Sequence, residues 1–137
     1  MRRRVREFVV AAGLIAAMQP AMAAEQRDLS GEYVMKGKGA GENDSPYIGT
    51  CTLKSSGTLY DVSCFNADTQ HTYSGKGIGL GDQLSTVIGD ALKGDHSMLY
   101  VGEYLVVYRA SPDGSMKGRW VHALSGAYGE ETLTPKR

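Results

Sequence analysis

From residue 31 onward, apolar and polar side chains alternate over short runs broken by glycine, and windows with apolar residues at helical spacing are nearly absent. Alternation with a period of two puts successive side chains on opposite faces of a strand, so the pattern predicts short antiparallel strands joined by tight turns. The first expected strand is Tyr33-Val34-Met35, and residues 36–46, rich in Gly, Asn, Asp and Ser, predict the loop that ends it. Further strands are expected over 48–54, 71–77 with its extension Ile78-Gly79-Leu80, 98–109 (one strand, or two broken at Gly102), 116–122 and 128–133, followed by a polar tail. Leu84, Val87, Ile88, Ala91 and Leu92 also fit a helical stripe, but Gly89 interrupts it and Gly81 and Gly94 bracket it, so a strand over 84–88 is preferred.

Residues 48–65 are the most informative stretch. Gly57-Thr58 suits the two central positions of a type II′ turn, with glycine where φ must be positive. Counting outward pairs Ser56 with Leu59, Ser55 with Tyr60, Lys54 with Asp61, Leu53 with Val62, Thr52 with Ser63, and Cys51 with Cys64. Hydrogen-bonded and non-hydrogen-bonded pairs alternate from such a turn, so the cysteines fall on a non-hydrogen-bonded pair, where about 4.5 Å between Cα atoms suits a disulfide. Cys51, Leu53, Tyr60, Val62 and Cys64 then share one apolar face; Thr52, Lys54, Asp61 and Ser63 share a polar one with an opposed charge pair.

Glycine recurs two residues before a strand residue that is usually large, as in Gly31-Glu32-Tyr33, Gly49-Thr50-Cys51, Gly75-Lys76-Gly77, Gly118-Arg119-Trp120 and Gly126-Ala127-Tyr128. Bends repeated along successive strands coil a sheet towards closure, which removes exposed edges. Ser111-Pro112-Asp113-Gly114 is a further turn signal. The expected architecture is all-β: a single antiparallel meander of seven or eight strands, a barrel or strongly curled sheet, with one disulfide inside a hairpin.

The N-terminus changes the picture of compartment. Arg2, Arg3, Arg4 and Arg6, an apolar run over 8–18, and Ala21-Met22-Ala23 after Pro20 read as a cleavable signal peptide over 1–23, leaving a single domain over 24–137. The apolar run is about half of the roughly 20 residues a membrane-spanning helix needs, and the arginines do not follow a twin-arginine consensus. Export to the periplasm or beyond makes two cysteines 13 positions apart a disulfide in preference to a metal or redox pair. Without residues 1–23 the chain holds 11 basic against 14 acidic residues, a net charge of −3. That balance disfavours nucleic-acid partners and a polybasic membrane contact.

No constellation of catalytic residues emerges. His71, His96 and His122 sit on three segments without metal-ligand spacing. Leu124-Ser125-Gly126 is not a nucleophile elbow and reads as turn chemistry. The glycine-dense 75–81 lacks the strand-to-helix context of a phosphate cradle. Glu130 and Glu131 are adjacent on a strand, so they face opposite ways and one is solvated. Tyrosine, eight in all, suits contact surfaces and barrel mouths, but Tyr33, Tyr60, Tyr108 and Trp120 read first as core. Any binding is expected at residues 36–45, 90–96 and 122–127. No catalytic, cofactor-binding or metal-ligating residue is assigned.

Several short motifs run nearly the whole length after residue 30: Gly31 with Tyr33, Tyr47 with Gly49, Tyr60 with Val62, Tyr73 with Gly75 and Gly77, Val106-Val107-Tyr108, Asp113-Gly114 with Gly118 and Trp120, and Glu131 with Leu133. In these the chain resembles a family of small secreted bacterial proteins, mostly uncharacterised and sometimes labelled fibronectin-binding. The resemblance implies a compact β-fold and no established chemistry. Cys51 and Cys64 depart from the family pattern, which has an aliphatic and a large apolar residue there, so the disulfide reads as a core substitution. The leading expectation is an exported non-enzymatic module that binds an envelope or extracellular protein. An inhibitor of a protease or lysozyme, and a small-ligand carrier with an open barrel, are the alternatives.

Overall fold

The structure, a computed structural model, describes residues 26–41, 45–90 and 103–137. The expected leader over 1–23, His96 and the part of the expected 98–109 strand before Glu103 lie outside the described residues. Eight strands follow in order: β1 (Gly31–Gly39), β2 (Pro46–Ser56), β3 (Leu59–Asn66), β4 (His71–Leu80), β5 (Gln83–Asp90), β6 (Tyr104–Ala110), β7 (Met116–His122) and β8 (Tyr128–Pro135). Each pairs antiparallel with its successor, and β8 returns to β1 to close the barrel. The described residues contain no helix.

The β2–β3 hairpin has the register that its turn dictates, from Ser56↔Leu59 through Cys51↔Cys64. Gly57 has φ +67° while Thr58 stays at negative φ, the combination a type II′ turn requires. The two Sγ atoms are 2.03 Å apart and the Cα atoms 4.0 Å apart. All five side chains of the expected apolar face are buried. On the outer face Lys54 and Asp61 are opposite each other, but Asp61 forms its ion pair with Lys76 of β4. Both ends of that pair are exposed, where such contacts contribute little.

β5 is a strand. A helical stripe would have placed Val87 beside Leu84 and Ile88; in the barrel Leu84, Thr86 and Ile88 point in and Val87 points out, 48% exposed. Several strand boundaries differ from expectation, that of β1 the most. β1 runs on through Gly39 and β2 begins at Pro46, because Lys36 and Lys38 continue the outward row while Gly37 and Gly39 continue the inward one. A glycine- and lysine-rich stretch reads as loop until closure supplies partners on both sides. β8 likewise reaches Pro135, whose Cα partner is Tyr33.

Outward positions carry Glu32, Lys36, Lys54, Asp61, Lys76, Lys117, Arg119 and Glu130, and inward positions are mostly apolar. That is the reverse of a barrel with a lipid-facing apolar band and a polar lumen. The end of the barrel holding the β2–β3, β4–β5 and β6–β7 turns is filled by Tyr33, Leu53, Tyr60, Leu84, Met116 and Leu133, each at most 5% exposed. Residues 26–30 lie across it as a strap. Leu29 is buried there, its N–H donating to the Tyr60 hydroxyl (3.2 Å) and its carbonyl accepting from the Tyr33 hydroxyl (2.7 Å). The Tyr60 hydroxyl donates in turn to the Arg27 carbonyl (3.3 Å), and Arg27 Nη1 donates to the Ser111 carbonyl (2.7 Å). Each buried phenol thus meets a partner, as a dry interior demands.

Replacing Cys51 and Cys64 together by alanine is expected to lower the urea midpoint by the equivalent of about 2–4 kcal/mol while leaving the far-ultraviolet spectrum unchanged, since the crosslink constrains mainly the unfolded chain. An unchanged midpoint would remove its role as a staple.

Candidate functional site

Towards the opposite end, where the β1–β2, β3–β4, β5–β6 and β7–β8 connections lie, the inward side chains enclose a cavity of about 310 Å³. Met35, Cys64, Ile88 and Val106 form an apolar floor, and Tyr47, Tyr73, Tyr104 and Trp120 form the walls. The rings of Tyr73 and Tyr104 meet edge to face at 5.5 Å and 87°, and those of Tyr104 and Trp120 at 5.8 Å and 77°. His122 closes on Tyr104 at 4.9 Å. An aromatic chain therefore spans β4, β6 and β7, in the arrangement that ring quadrupoles favour. The Trp120 indole N–H is buried beside the Tyr47 hydroxyl without reaching hydrogen-bonding geometry to an acceptor among the described residues.

One charged side chain enters this cavity from β8. Glu131 is 8% exposed and lines the cavity, accepting a hydrogen bond from the Tyr47 hydroxyl on Oε2 (2.7 Å) and another from the Tyr108 hydroxyl on Oε1. Its Cα partners on the flanking strands are both glycine, Gly37 on β1 and Gly118 on β7. Those glycines make the arrangement possible. A Cβ on Gly37 would lie 2.2 Å from the Tyr47 ring, and one on Gly118 would lie 2.5 Å from the Tyr108 ring. Trp120 repeats the device across Gly129, where a Cβ would lie 2.4 Å from the indole. Gly118, one of the glycines expected to bend a strand, thus vacates space that a neighbouring ring occupies, and so do Gly37, expected in a loop, and Gly129.

Burial pushes the Glu131 carboxyl above its ordinary range, and the two phenol donors only partly offset this. Tyr108 and Tyr47 are raised as well, first by burial and then by the Glu131 charge. Tyr73 and Tyr104 are also raised, chiefly by burial, with the Glu103 carboxylate contributing to both and Asp90 to Tyr73. The carboxylates of Asp90 and Glu103 therefore add to a negative field around the aromatic walls, and no lysine or arginine is among the described lining residues.

The sequence-derived candidates separate cleanly. His71 and His122 both sit on strand ends near the cavity, but His71 Nδ1 faces Asp90 at 3.5 Å, and His122 Nδ1 is taken by the Ser125 N–H (3.0 Å) and hydroxyl (2.8 Å) of its own turn. Ser125 Oγ also accepts from the Ala127 N–H, so the serine is turn chemistry. Residues 75–81 belong to β4 and its turn. Glu130 is exposed and Glu131 buried, as adjacency required. Tyr33, Tyr60 and Tyr108 are core, whereas Trp120 is only partly buried and forms a cavity wall. Sequence reasoning missed Glu131 and Tyr47 as partners, although period-two counting from Leu133 points Glu131 inward. No protein-family model matches the chain, and no curated protein matches it either.

Gly37→Ala is expected to cost about 1–3 kcal/mol, because the Tyr47 ring has to leave the space the new methyl takes. A melting temperature equal to that of the unaltered protein would contradict the close approach. Because the folded Glu131 binds its proton more tightly than the unfolded one, whose reference pKa is 4.5, its contribution to stability is full at acidic pH and is lost as pH rises through the raised folded value. Glu131→Gln should flatten that decline in denaturation profiles measured from pH 4 to pH 8; parallel profiles for the two proteins would refute it.

Proposed function

We propose that the chain is an exported binding protein that holds a small ligand inside its barrel. One observation carries this reading: a barrel packed solid at one end leaves, at the other, a cavity walled by aromatic rings with a buried, hydrogen-bonded carboxylate. Ligand sites are concave and mostly apolar, with a few placed polar groups that fix orientation, and mouths of β-barrels are a common setting for them. The carboxylate is held from two sides by Tyr47 and Tyr108, which makes it an oriented anchor with lone pairs still available. No serine, cysteine thiol or histidine stands within hydrogen-bond reach of Glu131 to make a nucleophile–base pair among the described residues. A carrier is therefore favoured over an enzyme. Export is supported by the leader pattern and by the disulfide, which persists in oxidising compartments.

A protein partner would have to use the outer wall or the connections. On that wall Val87, Leu105, Val121 and Tyr128 form one exposed row across β5 to β8, a less specific feature than the cavity. Inhibition of a protease or lysozyme gains no dedicated feature from the described residues.

Trp120 is the sole tryptophan of the chain and lines the cavity, so the protein carries its own reporter. Titrating the purified, oxidised chain with small aromatic and amphipathic compounds should produce a saturable change in tryptophan emission from at least one of them. A response that never saturates, or an emission spectrum indifferent to every compound, would overturn ligand binding in the barrel.

A further inference from the structure

We infer that the ligand of this cavity is a small organic ammonium, a cation carrying a compact apolar or aryl body; the inference rests on the binding function just proposed. Three observations converge on it. First, the interior carboxylate of Glu131 has two phenol donors and no lysine, arginine or histidine partner among the described residues. A carboxylate accepts at about four lone-pair positions, so an N–H of the ligand has a place on each oxygen beside the phenols. An ammonium there would also supply the countercharge that burial otherwise denies.

Second, the walls between floor and rim are the rings of Tyr47, Tyr73, Tyr104 and Trp120. Ring faces attract cations, and a set of them around a carboxylate is the arrangement that holds alkylated ammonium groups. Third, Asp90 and Glu103 place further negative charge beside Tyr73 and Tyr104, and the chain after the expected leader is acidic. Clefts lined by one sign of charge concentrate ligands of the opposite sign. An anionic ligand would meet the Glu131 carboxylate with no described basic residue among the lining to offset it, and a purely apolar one would leave the open lone pairs of Glu131 unmet. The size follows from the volume: about 310 Å³ is room for roughly ten waters, so the body is a single ring or a short branched chain and not a lipid or an oligosaccharide.

The test uses three probes of similar shape and different charge: phenethylammonium, phenethyl alcohol and phenylacetate. Each is titrated against the purified, oxidised chain by calorimetry and by Trp120 emission. Phenethylammonium is expected to bind at least about tenfold more tightly than the alcohol, and phenylacetate not at all. Glu131→Gln is expected to reduce ammonium affinity by about tenfold or more and to leave alcohol affinity within about twofold. Should that variant fail to fold, Tyr104→Leu serves instead, with a larger loss for the ammonium than for the alcohol. Equal or tighter binding of the alcohol, any preference for phenylacetate, or an ammonium affinity indifferent to both variants would overturn the ammonium assignment while leaving the carrier reading intact. Silence from all three probes would overturn the ammonium assignment, and the carrier reading would fall with it if the wider panel of aromatic and amphipathic compounds were silent too.

Discussion

The interior of an eight-stranded barrel has a fixed girth. Once the sheet closes, its diameter is set by strand number and stagger, and the space inside is just enough for inward side chains to fill. Everything distinctive about this molecule follows from how that fixed space is divided. At the strapped end, Leu53, Leu84, Met116 and Leu133 are buried together with two tyrosines. Towards the other end rings replace aliphatic side chains, and two of them, Tyr47 and Trp120, have a glycine as cross-strand partner, Gly37 and Gly129, so that each leans over a bare backbone beside the cavity.

That division explains why a carboxylate survives indoors. Moving a bare carboxylate out of water is costly, and here its direct stabilisation comes from the Tyr47 and Tyr108 phenols, without a neutralising cation among the described residues. The phenols can reach it only because residues 37 and 118 have no side chain to stand in the way. A polar centre of this kind is not a feature of core packing, since an apolar residue at 131 would fill the same position more favourably. The disulfide, by contrast, stands among floor and core residues, joined through Cys51 to Met35, whose Sδ is 3.6 Å away. Its two sulfurs occupy the place of ordinary apolar side chains.

Much of the architecture was legible before any coordinates. The Gly57-Thr58 turn sets a register, the register brings two cysteines face to face, and period-two alternation sorts the whole hairpin into inner and outer faces. Met116–His122 is bounded by its turn signals alone. The site was far less legible, for a physical reason. Tyr47, Tyr73, Tyr104, Trp120 and Glu131 come from five strands, and only closure of β8 onto β1 brings Glu131 beside Tyr47. Local pattern says which way each side chain points; it says nothing about which others meet it across the lumen. Gly37 shows the same limit from the other direction, since its neighbours in sequence suggest a loop and its neighbours in space demand a strand.

An even number of up-and-down strands has a further consequence for the strapped end. Gln26 enters there and Lys136 leaves there, its N–H bonded to the Glu32 carbonyl at 2.9 Å, so both extremities of the described fold sit below the filled half. A fusion partner, a purification handle or a solid support joined at either extremity would therefore hold the molecule by its sealed base, like a cup held by its foot. The aromatic hollow would then be presented away from the attachment.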